Sequence, residues 1–284
     1  MDRKQFEALV QAGPLFLDGA TGSNLMKAGK PVGVCSETWI LEHPDVLIDL
    51  QRSYVASGSR VLIAPTFTAN RYYLAQHGVE QHVAQMNRDL VALSRQAAGK
   101  AFVAGDMTTL GRPDLSYEEH LRVYEEQSAA LAEAGVDLYI IETMMGLEET
   151  MAALEACRMV SDLPVICSFS VTGDGMLYFG GSIYEAAPQL EGFGADAVGI
   201  NCSAGPDQME TVIRGLVSCL QIPVSAKPNA GMPVMDENGV AQYSMTPVDF
   251  GRHMKVLYDS GARLLGGCCG TEPAHIAELV RACG

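Results

Sequence analysis

The chain alternates eight times between a short apolar run and a longer amphipathic stretch. The runs are "LFLDG" (15–19), "RVLIAPT" (60–66), "AFVAGDM" (101–107), "VDLYIIET" (136–143), "PVICSFS" (164–170), "DAVGINCS" (196–203), "PVSAKPN" (223–229) and "ARLLGGCC" (262–269). A half-exposed strand alternates apolar and polar residues. These runs are nearly continuous, which suits strands covered on both faces, as in a parallel sheet. The stretches between them carry the helical period: in residues 82–98, Val83, Met86, Leu90 and Leu93 share one face. Residues 117–134 and 147–160 read the same way. Ser116 with Glu119 three residues on predicts a capping-box start at Tyr117. Pro206 and Pro273 stand at or near helix starts. Glycines in "ASGSR", "EAGVD", "GFGAD" and "DSGAR" precede four of the strands and suit helix ends.

Eight such units within 284 residues predict an α/β fold, a (β/α)8 TIM barrel in a single domain over 1–284, for which about 250 residues is typical. A doubly wound open sheet is the alternative. It lacks support at the strand–helix junctions: "DGATGSN" (18–24) is glycine-rich but has neither the dinucleotide nor the phosphate-loop spacing. The longer segments 20–45 and 230–245 are placed to cover one barrel mouth.

With 48% hydrophobic and 19% charged residues the chain can bury a sizeable core. Its net charge of −15 argues against a nucleic-acid surface and against anionic membranes. No apolar run reaches the roughly 18–20 residues of a membrane helix, and the charged opening "MDRKQFEALVQAG" has no secretory pattern. Eight irregularly spaced cysteines in a chain of this length fit a reducing, cytoplasmic setting better than a disulfide scaffold.

Barrel enzymes carry their chemistry where strands end. Those positions are Asp18, Thr66, Asp106, Glu142, Ser170, Asn201 with Cys202, Asn229, and Cys268 with Cys269. Cys157 and Cys167 fall within a helix and before a strand end, and read as buried core thiols. Cys202 and the vicinal pair end strands six and eight, next-but-one neighbours whose tips can converge. Three thiolates at one mouth suit zinc with one position open, since a closed structural site commonly uses paired CxxC units, absent here. Core packing of the same cysteines is the competing reading. The two glycines before the pair let adjacent sulfurs approach a common point. His275 is expected on a helix surface rather than at a metal.

"GINCSAGP" (199–206), "LLGGCCGTEPAHI" (264–276), "LFLDGATGSNL" (15–25) and "YIIETMMGLEE" (139–149) together resemble the homocysteine S-methyltransferase family. The resemblance runs from about residue 13 to the end. It implies a zinc-bearing barrel with Cys202, Cys268 and Cys269 as metal ligands. It further implies that Asp18 and Glu142 hold the ammonium of homocysteine, with Asn201 shaping the site. "KPNAGMPVMDENGVAQYSMTPVDFG" (227–251) is similar to the homocysteine-binding module of cobalamin-dependent methionine synthase. The chain resembles a stand-alone version of that module. The implied activity is methyl transfer to homocysteine, giving methionine, with methylcobalamin on a separate corrinoid protein as donor. S-methylmethionine, betaine or S-adenosylmethionine as a small donor, another thiol as acceptor, and a non-catalytic zinc-thiolate subunit are the alternatives. "GDMTTLGR" (105–112) and "SFSVTGDGMLYFGGS" (168–182) follow the family only loosely.

Overall fold

The strands form where the apolar runs stand, and period-two side-chain alternation divides each run between two cores. The computed structural model describes residues 1–235 and 241–284. Its strands are β1 (Leu15–Phe16), β2 (Val61–Ile63), β3 (Phe102–Thr108), β4 (Leu138–Met144), β5 (Val165–Phe169), β6 (Ala197–Asn201), β7 (Val224–Lys227) and β8 (Ala262–Leu265). All pair in parallel, in the order β1-β8-β7-β6-β5-β4-β3-β2. A bridge from Leu17 to Val61 joins the two ends, so the sheet closes into a barrel. The open-sheet alternative is thereby set aside.

Leu15, Leu17, Val61, Ile63, Ala104, Leu138, Ile140, Ile166, Ala197 and Leu264 fill the barrel interior. Phe6 and Val10 of α1 (Arg3–Gln11) join this cluster and plug the end at which the strands begin. The residues between them, such as Leu62, Val103, Tyr139, Ile141, Cys167, Phe169, Val198 and Ile200, point outward into the shell under the helices. Cys157 lies in this shell too, as expected of a core thiol. Two steps beyond the last inner apolar residue of β3, β4 and β5 the same alternation brings a polar one: Asp106 after Ala104, Glu142 after Ile140, Ser168 after Ile166. The barrel interior is thus dry below and polar above.

The helix signals hold locally. Ser116 and Glu119 exchange side-chain and backbone hydrogen bonds in a capping box, and Pro273 occupies the first turn of the last helix. Gly135 and Gly261 adopt φ of 79° and 112° at helix exits, which no other residue does cheaply. Segment 20–45 forms α2 (Gly22–Lys27) and α3 (Ser36–Glu42) beside the mouth. In segment 230–245, Val234–Met235 pairs antiparallel with Ala241–Gln242, and the remainder, 236–240, lies outside the described residues.

Where β6 meets β7 the strands approach so closely that a Cβ on Gly199 would lie 1.9 Å from the Ser225 carbonyl oxygen. Gly199→Ala should therefore cost about 3 kcal/mol or more, because backbone, not a flexible side chain, must move. A urea denaturation midpoint unchanged from wild type would contradict this packing.

A candidate metal and active site at the barrel mouth

Cys202 follows the last residue of β6, and Cys268 and Cys269 follow β8 after Gly266 and Gly267. The three sulfurs lie within 4.8 Å of one another, with 3.5 Å between those of Cys202 and Cys269. Sulfurs about 3.8 Å apart would share a tetrahedral ion at a Zn–S distance of about 2.3 Å. The donor set is all sulfur and all eight cysteines are free, so the trio suits a soft or borderline ion.

Backbone geometry builds this convergence. Cys202 adopts the left-handed region at φ 50°, a conformation that costs a non-glycine residue about 1–3 kcal/mol and concentrates at functional sites. Its N–H bonds the Lys227 carbonyl at 3.3 Å. On the other side, Cys268 N–H bonds the Pro228 carbonyl and the Cys269 carbonyl accepts from Ala230 N–H. The glycines serve close approach: a Cβ at 266 would meet the Asp18 carbonyl at 2.8 Å, and one at 267 would meet Thr271 Oγ1 at 2.4 Å. Thr271 in turn donates to the Cys268 carbonyl and accepts from Ala20 N–H. Among the three thiols Cys269 ionises most readily: hydrogen bonds from Cys202 and Cys268 pull it down to about 3. Hydrogen bonding to its neighbours and burial push Cys202 up.

The trio stands in the wall of a cavity of about 420 Å³, within the usual range for small-molecule sites. One side is apolar, with Ala20, Leu25, Ile40, Ile63, Pro65 and Phe67; α2, α3 and the end of β2 supply it, so segment 20–45 covers the mouth as anticipated. The other side carries Asp106, Glu142, Thr143 and Lys227. Lys227 Nζ donates to Glu142 Oε2 at 2.5 Å, both side chains buried. Burial works against the lysine's charge, but Glu142, Cys268, Asp18 and Asp106 outweigh it, and its pKa rises. Burial raises Glu142, against the pull of Lys227.

Asn201 lies beside the cysteines with its amide fully used. Oδ1 accepts from Thr143 N–H and Ser168 Oγ, both at 2.8 Å, and Nδ2 donates to Thr143 Oγ1 and reaches Cys268 Sγ at 3.9 Å. It holds Thr143 at φ 60°, where the register of β4 against β5 shifts between Ile141 and Met144. Asp18 is fully buried. Its Oδ2 accepts from Ile63 N–H at 2.8 Å, Oδ1 has no partner, and its neighbour Gly19 lines the cavity in its place. Thr66 Oγ1 donates to the Asp106 carbonyl and accepts from Asp106 N–H. Ser170 donates to the Cys202 carbonyl.

His275 is not on a helix surface: it is 5% exposed, with Nδ1 accepting from Glu272 N–H and Nε2 3.0 Å from the Met245 carbonyl. Its ring is needed to close the first turn of the last helix and anchor the chain leaving segment 230–245. Two site residues escaped sequence reasoning. Lys227 sits inside an apolar run whose polar end pointed to Asn229. Tyr243 packs over Gly270 and hydrogen-bonds Cys269, with no signal in its local sequence.

Comparison with known proteins bears on the whole chain. The family model described as homocysteine S-methyltransferase matches residues 15–283. Methionine synthase of Mycobacterium tuberculosis is 30% identical over 290 residues, covering 93% of this chain and 24% of that protein. The Mycobacterium leprae methionine synthase matches equally. The chain thus spans about a quarter of the length of these relatives. The metallated form of the homocysteine methyltransferase MmuM from Escherichia coli superposes with TM-score 0.81 at 23% identity, over 96% of this chain and 98% of that one. Its oxidized form gives 0.80 at 23%, over 94% and 95%.

Burial pushes the Asp18 carboxyl up to about 7, with Lys227 and the Ile63 N–H pulling it back and Glu142 adding to the rise. The folded chain then keeps a proton that the unfolded chain loses near pH 4, so this group's contribution to stability falls as pH rises from about 4 to 7. Asp18→Asn removes the titration. The stability of wild type relative to this variant should decline across that window in urea melts, and parallel curves would show that Asp18 is not a buried acid of this kind.

Proposed function

The chain belongs to the homocysteine S-methyltransferase family, and on that premise we propose that it transfers a methyl group to the thiol of homocysteine, giving methionine, with zinc held by Cys202, Cys268 and Cys269. The observation that carries the reading is the meeting of three sulfurs from two strand ends in the wall of a cavity lined by both apolar and charged residues. A cysteine-like thiol, with pKa about 8.5, is mostly protonated at neutral pH; zinc bound there would make the acceptor thiol a thiolate. No general base is then required at attack, in keeping with the absence of histidine from the cavity wall among the described residues.

The chain's own residues orient the acceptor. Glu142 lines the cavity with its Oε2 held by Lys227, and Asp18, next to the lining residue Gly19, has an Oδ1 without a hydrogen-bond partner. Both are assigned to the substrate ammonium. Asn201 is assigned a positioning role, through Thr143 and Cys268. The apolar wall formed by Leu25, Ile40 and Phe67 excludes water from the reacting sulfur.

For the donor we favour methylcobalamin on a separate corrinoid protein. Nine exposed large apolar residues lie in the segments that follow β1, β5 and β7: Met26, Val32 and Val34; Met176, Tyr178 and Phe179; Met232, Val234 and Met235. Exposed apolar surface gathered at the entrance suits a protein partner better than a freely diffusing donor. No helix among the described residues is long and apolar enough to cross a membrane, and free thiols suit a reducing cytoplasm.

Cys268→Ala should lose bound zinc and methyl transfer together; stoichiometric zinc by metal analysis with full turnover would refute the ligand assignment. Glu142→Gln should keep its zinc and raise the KM for homocysteine about 10- to 100-fold, the worth of a charge-assisted hydrogen bond. Purified protein given homocysteine and each donor in turn should form methionine with the methylated corrinoid protein; turnover with S-methylmethionine, betaine or S-adenosylmethionine alone would replace that assignment.

A further inference from the structure

The polar side of the cavity holds one carboxylate more than its partners account for. Lys227 is the only cation in the cavity wall among the described residues, and its ion pair is with Glu142. Asp18 has the Ile63 N–H on one oxygen. Asp106 has less: its Oδ1 is fully enclosed with no hydrogen-bond partner among the described residues, and the residue is only 4% exposed. Its main chain, by contrast, is firmly placed. Thr66 bonds both its N–H and its carbonyl, and Gln127 Nε2 donates to the Thr66 carbonyl. The barrel therefore fixes the Asp106 backbone at the end of β3, next to β4 and Glu142, and leaves its carboxylate in the cavity wall unserved.

Buried polar groups are nearly always paired, and a buried carboxyl without a partner costs free energy that a neutral residue would not. Such a group is expected where a ligand completes it. The ligand must be a hydrogen-bond donor, since carboxylate oxygens accept, and a cation, since Glu142 stands on the adjoining strand and the two acids repel. An ammonium group with three N–H donors meets both demands at once.

We propose that Asp106 is a substrate-binding residue: the acceptor's ammonium seats between the Asp106 carboxylate and Oε1 of Glu142, while Lys227 keeps Oε2 of Glu142 occupied. This rests on the reading of the acceptor as an amino-acid thiol. Without ligand, burial and the charge of Glu142 push the Asp106 carboxyl well up, and an arriving cation offsets both. The arrangement makes the site selective for thiols that carry an amino group, with Lys227 preventing the ammonium from being drawn to Glu142 alone.

Asp106→Asn separates this role from a structural one. Zinc-loaded wild type and variant are titrated calorimetrically with homocysteine and with 4-mercaptobutanoate, which has hydrogen in place of the amino group, and both proteins are melted in urea without thiol. Wild type should favour homocysteine. The variant should lose about 10- to 100-fold in homocysteine affinity, change little toward 4-mercaptobutanoate, keep its zinc, and be at least as stable as wild type, because an unpaired buried acid has been removed. Retention of the wild-type preference would overturn the assignment, and so would a less stable or unfolded variant, which would mark Asp106 as a prop of the fold. If wild type binds neither thiol, the acceptor reading falls and takes this assignment with it; a wild type that prefers homocysteine, with a variant that keeps the same preference, removes the assignment and leaves the reading standing.

Discussion

The site depends on a spacing constraint imposed by β7. That strand lies between β6 and β8, so the strands carrying Cys202 and the vicinal pair stand two strand separations apart, about 10 Å. Side chains as short as cysteine span such a gap only if the backbone leans inward from both sides. On one side this is done by the left-handed turn at Cys202. On the other it is done by Gly266 and Gly267, which let the chain press against Asp18 and Thr271. β7 stabilises both leans at once, because the Lys227 carbonyl holds Cys202 N–H and the Pro228 carbonyl holds Cys268 N–H. Residues 227–230 thus act as the spacer that sets the sulfur geometry.

That spacer also carries the cation of the cavity. A buried ion pair is a weak source of stability, since desolvation of both charges offsets most of their attraction. The Lys227–Glu142 pair is therefore better understood through what it does for its surroundings. It keeps a positive charge fixed among Asp18, Asp106, Glu142 and Cys268, each of which favours the charged lysine. Without it the upper barrel would hold three carboxyl groups and three thiols with no counter-charge, and the acids would stay protonated. The strained Cys202, the partnerless oxygens of Asp18 and Asp106 and the buried pair are concentrated in this one layer, while the layers below are apolar and packed. The stability sacrificed at the mouth is supplied by Leu15, Ile140, Ile166 and their neighbours, closed off beneath by Phe6.

Much of this was legible in the sequence because a parallel barrel writes itself as doubly buried apolar runs, and because the polar residues near the far end of each run mark where strand gives way to loop. That rule located Asp106, Glu142, Asn201 and all three cysteines. It failed where the strand ended earlier than the run. β7 stops at Lys227, yet "PVSAKPN" continues through a proline and an asparagine, so the run by itself points to Asn229. β1 is only two residues long, and Asp18 lies beyond it, behind the cavity wall. His275 follows a helix-start proline and carries a surface composition around it; that its ring turns inward depends on Met245 and Phe250, thirty and twenty-five positions away. Partnerships of this range, like the four contacts of Asn201, have no local signature.

Asp106 shows where the two kinds of information meet. Its position was readable from the end of β3, but its state was not, because a strand-end aspartate is ordinarily solvated or capped. Only the closed barrel reveals that Thr66 and Gln127 satisfy the main chain and leave the carboxylate alone. Burial and Glu142 both work against a charge on this carboxyl, so stability alone does not call for an acid there. On the proposed reading, the acid beside Glu142, with the nearby cation already paired, is there for a second cation that comes and goes. The physical meaning of the layer is therefore a charge balance completed by ligand, in which the protein supplies one ammonium and leaves room for another.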